Sequence, residues 1–238
     1  MSFAGKNILV VGGSSGIGLA VVKALAIAGA QVYNLSRKAG EKLPAGIMHC
    51  NFDVLDPNAS IESFLPENLD GLVYSVGSIT LKPFNRVTAD DLLNDYKINV
   101  TGAVRVIQLA LPALKRSGNA SVVLISSVAA GVGMGFHASI AASKGAINGL
   151  TLSLAAEFAP IKIRVNAVAP SLTDTPLAAS LLNSPERREA SATRHPLGRV
   201  GTPEDISDAI SFLLSDKSTW VTWQIIGIDG GLGHVRKN

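Results

Sequence analysis

The chain has 238 residues, of which 47% are hydrophobic and 16% charged, and its formal net charge is +3 at pH 7. A chain of this length and composition can bury a large core, and we expect one domain over residues 1–238. No basic stripe is interleaved with aromatic residues, which argues against nucleic-acid binding. Apolar runs are interrupted too often to span a membrane, and the early strand pattern leaves no room for a signal peptide. We therefore expect a cytoplasmic protein without nucleic-acid or membrane partners.

Short apolar runs alternate with helical patterns from one end of the chain to the other. Strands that are apolar on both faces and separated by helices predict a parallel sheet covered by helices on both sides. The clearest helical stretches are 19–28, 90–114 and 138–158. The predicted strands are 7–11, 31–35, 47–52, 71–76, 121–126, 163–169 and 224–228. The fold class is therefore α/β.

Residues 171–201 form the least regular segment and are rich in proline and arginine. A long irregular stretch in a compact domain is more often a functional lid than a plain loop, although a plain loop remains the alternative. We predict that this segment closes over a substrate and offers leucine side chains as an apolar lining. Its arginines would either meet an acidic substrate or lie in solvent.

A glycine-rich turn, Gly12-Gly13-Ser14-Ser15-Gly16-Ile17-Gly18, follows the first strand and opens the first helix. Gly12 would permit the turn, Gly16 would let the backbone approach a pyrophosphate, and Gly18 would let helix and strand pack closely. The helix N-terminus offers free N–H groups and a positive dipole end to phosphates. The position at the start of an α/β chain favours a dinucleotide site over a tight turn without a ligand. The predicted contacts are Gly12, Ser14, Ser15, Gly16, Ile17 and Gly18.

The Gly-x-x-x-Gly-x-Gly spacing resembles the short-chain dehydrogenase/reductase family. The resemblance covers residues 6–231, and the order and spacing of its motifs are specific. It implies a Rossmann-type, doubly wound sheet of seven parallel strands in a single domain, and a homotetramer or homodimer. It also implies hydride transfer between a nicotinamide and a small-molecule carbonyl or alcohol. The other matching motifs are Asp53-Val54, Asn99 within 98–102, Ser126-Ser127, Ser143-Lys144, 164–170, Thr175-Pro176 and Asp229-Gly230-Gly231.

The end of the second predicted strand indicates the choice of cofactor. A carboxylate at this position binds the adenosine ribose 2′-hydroxyl and selects NAD, and it would repel a 2′-phosphate. This chain has Ser36, followed by Arg37 and Lys38. A hydroxyl and a guanidinium suit a phosphate, so we predict that Ser36 and Arg37 select NADP(H) over NAD(H). The alternative is that Arg37 and Lys38 are ordinary loop cations.

The resemblance implies further cofactor contacts. Asp53 and Val54 would line the adenine, although Asp53 capping a turn before Pro57 is an alternative. The chain departs from the family at Ser75-Val76-Gly77, where Asn-Ala-Gly is usual. We therefore expect the cofactor to bind more weakly or in a slightly shifted position. It also has Ser171 and Trp223 where glycine is common, and we interpret Trp223 as an interface or core aromatic. The remaining implied contacts are Ser75, Gly77, Lys144, Pro170 and Thr175.

The resemblance also implies a catalytic group that is incomplete in this chain. Ser127 would polarise the substrate oxygen, Lys144 would hold the nicotinamide ribose, and Asn99 would position a water in the proton relay. The family's proton-donating tyrosine belongs four residues before Lys144 and thirteen after Ser127, where this chain has Ile140. Isoleucine has no proton to offer. The three tyrosines are interpreted as packing residues: Tyr33, Tyr74 and Tyr96.

His137 lies three residues before Ile140 and would share a helix face with Lys144 if the helix extends back that far. Histidine titrates near neutral pH, so His137 could partly replace the missing acid, and a solvent-facing loop histidine is the alternative. Two functions stay open. One is an NADP(H)-dependent oxidoreductase with altered proton delivery, acting on an unidentified carbonyl or alcohol. The other is a non-catalytic NADP(H)-binding protein with a sensing or structural role. We predict no metal site.

Overall fold

The computed structural model describes residues 1–235 and contains one sheet of seven parallel strands in the order β3-β2-β1-β4-β5-β6-β7. This order reverses direction beside β1, as in the doubly wound Rossmann fold. The prediction of a single-domain α/β Rossmann fold with seven parallel strands is confirmed. The strands are β1 (Asn7–Val11), β2 (Gln31–Ser36), β3 (Met48–Asn51), β4 (Gly71–Tyr74), β5 (Ala120–Ile125), β6 (Ile163–Pro170) and β7 (Ile225–Ile228).

Helices cover both faces of the sheet. The predicted helix over 90–114 is three elements, because the π-helical turn Lys97–Thr101 separates two α-helices. The α-helices are α1 (Gly16–Ile27), α2 (Ala89–Tyr96), α3 (Gly102–Ser117), α4 (Ala138–Phe158), α5 (Pro185–Arg194) and α6 (Pro203–Leu214). Short 3-10 helices lie at Phe84–Arg86, Val128–Ala130, Ala159–Ile161, Pro176–Leu181 and Asp216–Ser218.

The core consists of two apolar layers, one on each face of the sheet. Successive residues of a strand point to opposite faces, so Leu9 of β1 packs in the layer that contains Val106 of α3. Its neighbour Val10 packs in the other layer with Val21 of α1 and Ile210 of α6. Because both faces are buried, most strands carry mainly apolar residues, as the sequence pattern predicts, whereas the edge strand β3 is only partly buried and more polar.

The segment 171–201 is more regular than its composition predicts. It contains the 3-10 helix Pro176–Leu181 and the helix α5. Ser184 caps α5 by accepting a hydrogen bond from the Arg187 backbone N–H (3.3 Å), and Pro185 occupies the first turn. Serine followed by proline is a helix-start signal, and it outweighs the irregular appearance of the segment. A lid function for this segment stays a prediction.

Two of the aromatic residues interpreted from the sequence lie on the surface. Tyr33 and Tyr74 are buried in strands, which confirms their packing role, but Tyr96 is 43% exposed and is not a core residue. Trp223 is 54% exposed, which excludes the core alternative, and the interface alternative stays a prediction. Its φ of 67° lies in the left-handed region that favours glycine, which explains why glycine suits this position better.

Candidate active site

The predicted site residues meet at the carboxyl edge of the sheet. Because all strands are parallel, the loops after β1, β4, β5 and β6 leave the sheet on the same side, around the point where the strand order reverses. Gly12 follows β1, Gly77 lies three residues after β4, Ser127 follows β5 closely, and Pro170 ends β6. This edge is where open α/β sheets bind their ligands.

At Gly12 and Gly18 the glycine turn is packed too closely for a side chain. Gly12 has a φ of 89°, and a Cβ there would lie 3.0 Å from the backbone nitrogen of Val76. A Cβ at Gly18 would collide with the carbonyl oxygen of Gly12, so α1 packs directly against the turn. Ser15, the N-cap of α1, makes no side-chain hydrogen bond to the helix. The first N–H groups of α1 are therefore left for a ligand, and the turn fits a pyrophosphate.

Asn34 of β2 braces this turn, a role that the sequence analysis missed. Its side chain is fully buried, and its Oδ1 accepts the backbone N–H of Gly13 (3.0 Å). Its Nδ2 donates to Ser36 Oγ (3.1 Å) and lies 3.1 Å from Nδ1 of His49. An asparagine in the middle of a buried apolar strand was the available signal, because a buried amide needs partners.

The residues predicted to select the cofactor lie at the end of β2. Ser36 is buried, and its hydroxyl donates to the backbone oxygen of Lys38 (2.8 Å), so it shapes the loop that Arg37 begins. Arg37 is exposed. The loop returns to the glycine turn, since a Cβ at Gly40 would lie 2.9 Å from the oxygen of Ser14. The loop that Arg37 begins therefore lies beside the glycine turn.

Asp53 and Val54 follow β3 closely. Oδ1 of Asp53 accepts the backbone N–H of Leu55 (2.9 Å), which is the turn-capping arrangement considered as an alternative. Val54 is buried against Gly102 at the start of α3. Burial and the charge of Asp53 raise the pKa of Tyr74 above its ordinary range, so this tyrosine stays protonated and cannot act as a base.

Lys144 and Ile140 lie one turn apart on α4. The side chain of Lys144 is 8% exposed, and its Nζ donates to the carbonyl oxygen of Ile125 (2.8 Å). Burial lowers the pKa of this ammonium to about 8, against the opposing effect of the Asp95 charge. Ile140 is buried. Ser127 Oγ accepts the backbone N–H of Ala129 (3.2 Å), which leaves its hydroxyl hydrogen free to donate to a ligand.

Asn99 lies in the π-helical turn Lys97–Thr101, the kind of distortion that is frequent at functional sites. Its Nδ2 donates to the backbone oxygen of Asp95 (2.8 Å) and to Ser78 Oγ (3.2 Å). Its Oδ1 is buried without a hydrogen-bond partner. A Cβ at Gly77 would lie 3.1 Å from this oxygen and 3.8 Å from Lys144 Nζ. An unpaired acceptor and a buried ammonium thus flank Gly77, which suits a ligand hydroxyl or a water.

His137 lies at the N-terminus of α4, the helix that carries Ile140 and Lys144. The helix begins at Ala138, and His137 is its N-cap residue. Its Nδ1 lies 2.6 Å from the carbonyl oxygen of Gly135 and therefore donates to it. The condition that the helix extends back to His137 is not met, because its φ of −101° and ψ of 11° are not helical.

The loop after β6 completes the site. Thr175 faces the glycine turn, since a Cβ at Gly16 would lie 3.3 Å from the Cβ of Thr175. A cleft of about 440 Å³ opens beside the turn between Ser14 and Pro176. No group of three or more His, Cys, Asp and Glu side chains in residues 1–235 could hold a metal ion. Within the same residues, no helix combines the length and apolar character needed to cross a membrane.

Comparison with known proteins gives matches along almost the whole chain. Residues 11–233 match a family model described as enoyl-(acyl carrier protein) reductase. A tropinone reductase homolog of Arabidopsis thaliana is 38% identical over 246 residues, which covers 97% of this chain and 93% of the plant protein.

Solved structures give the same result. A short-chain type dehydrogenase/reductase from Mycobacterium ulcerans superposes with a TM-score of 0.90 at 30% identity, covering 99% of this chain and 92% of that one. A candidate 2-deoxy-D-gluconate 3-dehydrogenase from Agrobacterium tumefaciens, solved with bound NADP, has a TM-score of 0.89 at 30% identity and covers 97% of each chain. The chain therefore belongs to the short-chain dehydrogenase/reductase family of oxidoreductases.

Proposed function

We propose that this protein is an NADP(H)-dependent oxidoreductase that acts on a small-molecule carbonyl or alcohol. The observation that carries the proposal is the pair of groups around Gly77. Lys144 Nζ and the unpartnered Oδ1 of Asn99 both face this glycine, at the sheet edge where the glycine turn also lies. A ribose hydroxyl both donates and accepts hydrogen bonds, so it would satisfy the two groups together.

The same chain segments would hold the rest of the cofactor. The N–H groups at the start of α1 would bind the pyrophosphate, and Arg37 would pair with the 2′-phosphate of the adenosine ribose. The relative from Agrobacterium tumefaciens with bound NADP supports this choice of cofactor. The other proposed contacts are Ser14, Ser15, Ile17, Ser36, Asp53, Val54, Ser75, Pro170 and Thr175.

NADPH, when bound, would supply the hydride for a carbonyl, and NADP⁺ would accept it from an alcohol. This chain's residues would orient the reactants and move the proton. Ser127 would donate its free hydroxyl hydrogen to the substrate oxygen. Ile140 provides no proton where the family's tyrosine is expected. General acid catalysis typically contributes ~10²–10⁴-fold, so we expect slow turnover rather than none. His137 would be a partial substitute, and a His137→Gln variant with unchanged turnover would exclude it.

Three further proposals concern the substrate lid, the oligomeric state and the cellular location of the protein. Segment 171–201, with the helix α5, would cover the substrate. The protein would form a homodimer or homotetramer. The exposed apolar side chains of Leu92 and Leu93 on α2 support this, because such side chains often lie in protein interfaces. Sedimentation analysis tests the oligomeric state. We also propose a cytoplasmic location.

A non-catalytic NADP(H)-binding protein is the second candidate. The observation that favours it is Ile140, a buried side chain without a titratable group at the heart of the site. The two candidates share the cofactor and differ only in turnover, so one set of measurements separates them.

Cofactor selection is the first test. Fluorescence titration should give a lower Kd for NADPH than for NADH, and Arg37→Ala should reduce the ratio about tenfold, the size of one charge-assisted hydrogen bond. Lys115→Ala removes an exposed cation on α3 and is the matched control. Equal affinities for NADPH and NADH in the unmodified protein would refute the role of Arg37.

Turnover is the second test. A panel of ketones, aldehydes and alcohols should give slow NADPH-dependent turnover, and Ile140→Tyr should raise kcat by roughly 10²-fold or more. Activity in neither protein, with NADPH binding intact, would favour the non-catalytic candidate. A rate in the unmodified protein that Ile140→Tyr does not raise would show that proton delivery is not impaired.

A further inference from the structure

Asp95, in the last turn of α2, is a buried carboxylate to which the proposed chemistry assigns no task. Its side chain is 1% exposed. Oδ1 accepts a hydrogen bond from Ser78 Oγ (2.6 Å), and Oδ2 accepts from Ser139 Oγ (2.7 Å) and from the backbone N–H of Thr80 (3.2 Å). An ionised carboxylate is an acceptor only, so three donors around it suit the charged form.

These hydrogen bonds join Asp95 to the parts of the site that flank Gly77. Ser78 follows Gly77 in the chain, and its Oγ also accepts from Nδ2 of Asn99 (3.2 Å). The same Nδ2 donates to the backbone oxygen of Asp95 (2.8 Å). The amide of Asn99 is therefore held with its Oδ1 turned away from Asp95. Ser139 precedes Ile140 at the start of α4, so Asp95 also ties α2 to the helix that carries Lys144.

We propose that Asp95 is a positioning residue with two effects on the site. As a buried negative charge it keeps Lys144 protonated, and through Ser78 it orients Asn99 so that Oδ1 faces Gly77. The proposal rests on the proposed function in one respect, namely that Lys144 and Asn99 act on the nicotinamide ribose.

Electrostatics supports the first effect. Asp95 is hydrogen-bonded to Ser139 at the start of α4 and to Asn99 beside Gly77, so its charge lies close to the pocket of Lys144. The pKa of Lys144, about 8, is the net result of burial, which lowers it, and of the charge of Asp95, which raises it. An ammonium donates three hydrogen bonds, and Ile125 takes one of them. Without Asp95, a larger share of Lys144 would be neutral at neutral pH and would have fewer donors for a ribose.

Other charged groups on the elements around Lys144 are exposed or paired elsewhere. Asp91 of α2 is paired with Lys82 (2.7 Å), and the guanidinium of Arg164 on β6 donates to the oxygen of Val221. In the described elements that pack against α4, and on α4 itself, the remaining charged side chains are exposed: Asp90, Lys97 and Glu157.

The test titrates the lysine side chains of the cofactor-free protein by NMR, with Lys144 assigned by the signal that Lys144→Met removes. The unmodified protein should titrate at Lys144 near pH 8. In Asp95→Asn, which keeps the size of the side chain, the midpoint should fall by on the order of one pH unit or more. Asp90→Asn removes an exposed charge from the same helix and should leave the midpoint where it is. An unchanged midpoint in Asp95→Asn overturns the proposal.

A measurement on the unmodified protein keeps the proposal testable if Asp95→Asn does not fold. The NMR signal of the Asp95 carboxyl carbon should move as Lys144 titrates near pH 8, because the two charges interact, and a signal that stays constant across that midpoint would overturn the proposal. For the second effect, Ser78→Ala should weaken NADPH binding at least several-fold while leaving the Lys144 midpoint near that of the unmodified protein. Unchanged NADPH affinity in Ser78→Ala contradicts the positioning of Asn99.

The two proposals fail in different ways. If the unmodified protein binds neither NADPH nor NADH, the proposed function is wrong, although the lysine titration still measures the coupling of Asp95 to Lys144. If NADPH binds and the titration midpoint of Lys144 is the same in Asp95→Asn, the proposed function stands and the proposed role of Asp95 is wrong.

Discussion

Replacing Lys144 with methionine should stabilise the protein at neutral pH and flatten the pH dependence of its unfolding. The ammonium lies in a site where it is 8% exposed and makes one hydrogen bond to the protein, to the oxygen of Ile125. Burial lowers its pKa from 10.5 to about 8. Methionine has a similar length, fills the same space and carries no charge, so the substitution removes the cost of burying the ammonium.

The size and sign of the effect follow from proton linkage. Between pH 8 and pH 10.5 the unfolded chain binds a proton at Lys144 that the folded chain has lost, so stability rises with pH across this window. Below pH 8 the lysine is charged in both states and the full cost is present. The difference between the two pKa values corresponds to roughly 3 kcal/mol. Losing the hydrogen bond to Ile125 destabilises the variant by about 1 kcal/mol, which offsets part of this gain. Lys144→Met should therefore be about 2 kcal/mol more stable than the unmodified protein at pH 7.

Urea unfolding of both proteins at pH 7, 8.5 and 10 measures this difference directly. The advantage of Lys144→Met should shrink steadily as the pH rises, and the effects of other groups cancel in the comparison. Lys115→Met, at an exposed position on α3, should show a difference that does not depend on pH. A constant difference for Lys144→Met across this range, or one that grows with pH, would refute the reasoning.

Two other substitutions, each with a matched control, test the local packing of the site. Gly18→Ala should cost roughly 1–3 kcal/mol in urea unfolding and weaken NADPH binding at least tenfold, because its Cβ would collide with the Gly12 oxygen. Gly149→Ala, on α4 with open space around the new Cβ, should instead stabilise by roughly 0.5–1 kcal/mol. Tyr74→Phe should cost about 1 kcal/mol, because it removes the hydroxyl that donates to the oxygen of Ile98 (2.6 Å). Tyr33→Phe, whose ring packs edge-on against Phe64, should cost less, and equal losses would contradict the role of the Tyr74 hydroxyl.

The architecture was predictable from the sequence because most strands are mainly apolar on both faces, with the edge strand β3 as the exception. That pattern follows from helices on both sides of the sheet, and it gave all seven strands to within about two residues at either end. The break between α2 and α3 was not predictable in this way. The composition of 90–114 is helical throughout, and the π-helical turn lies where Tyr74 of a distant strand binds the oxygen of Ile98. Local pattern does not report a contact of this kind.

The site was predictable in part, and for a similar reason. Motif spacing and the resemblance to the family predicted the glycine turn, Ser127, Asn99 and Lys144 as site residues, and the structure places them at one edge of the sheet. Spacing gave no signal for Asn34 or Asp95. Each is a buried polar side chain whose partners come from other elements, so its role depends on contacts that the order of residues does not reveal.

The energetics of the site argue that it is built for a ligand. The ammonium of Lys144 is buried at a cost of roughly 3 kcal/mol. The Oδ1 of Asn99 is buried without a partner, at a cost of about 1–3 kcal/mol. Both groups face Gly77, and a hydroxyl placed between them would donate to Asn99 and accept from Lys144, recovering part of both costs at once. The buried ammonium and the unpaired oxygen belong to Lys144 and Asn99, and neither group is supplied by residue 140. Ile140 therefore bears on proton transfer, while the preference for a ligand with a hydroxyl at this point follows from Lys144 and Asn99 alone.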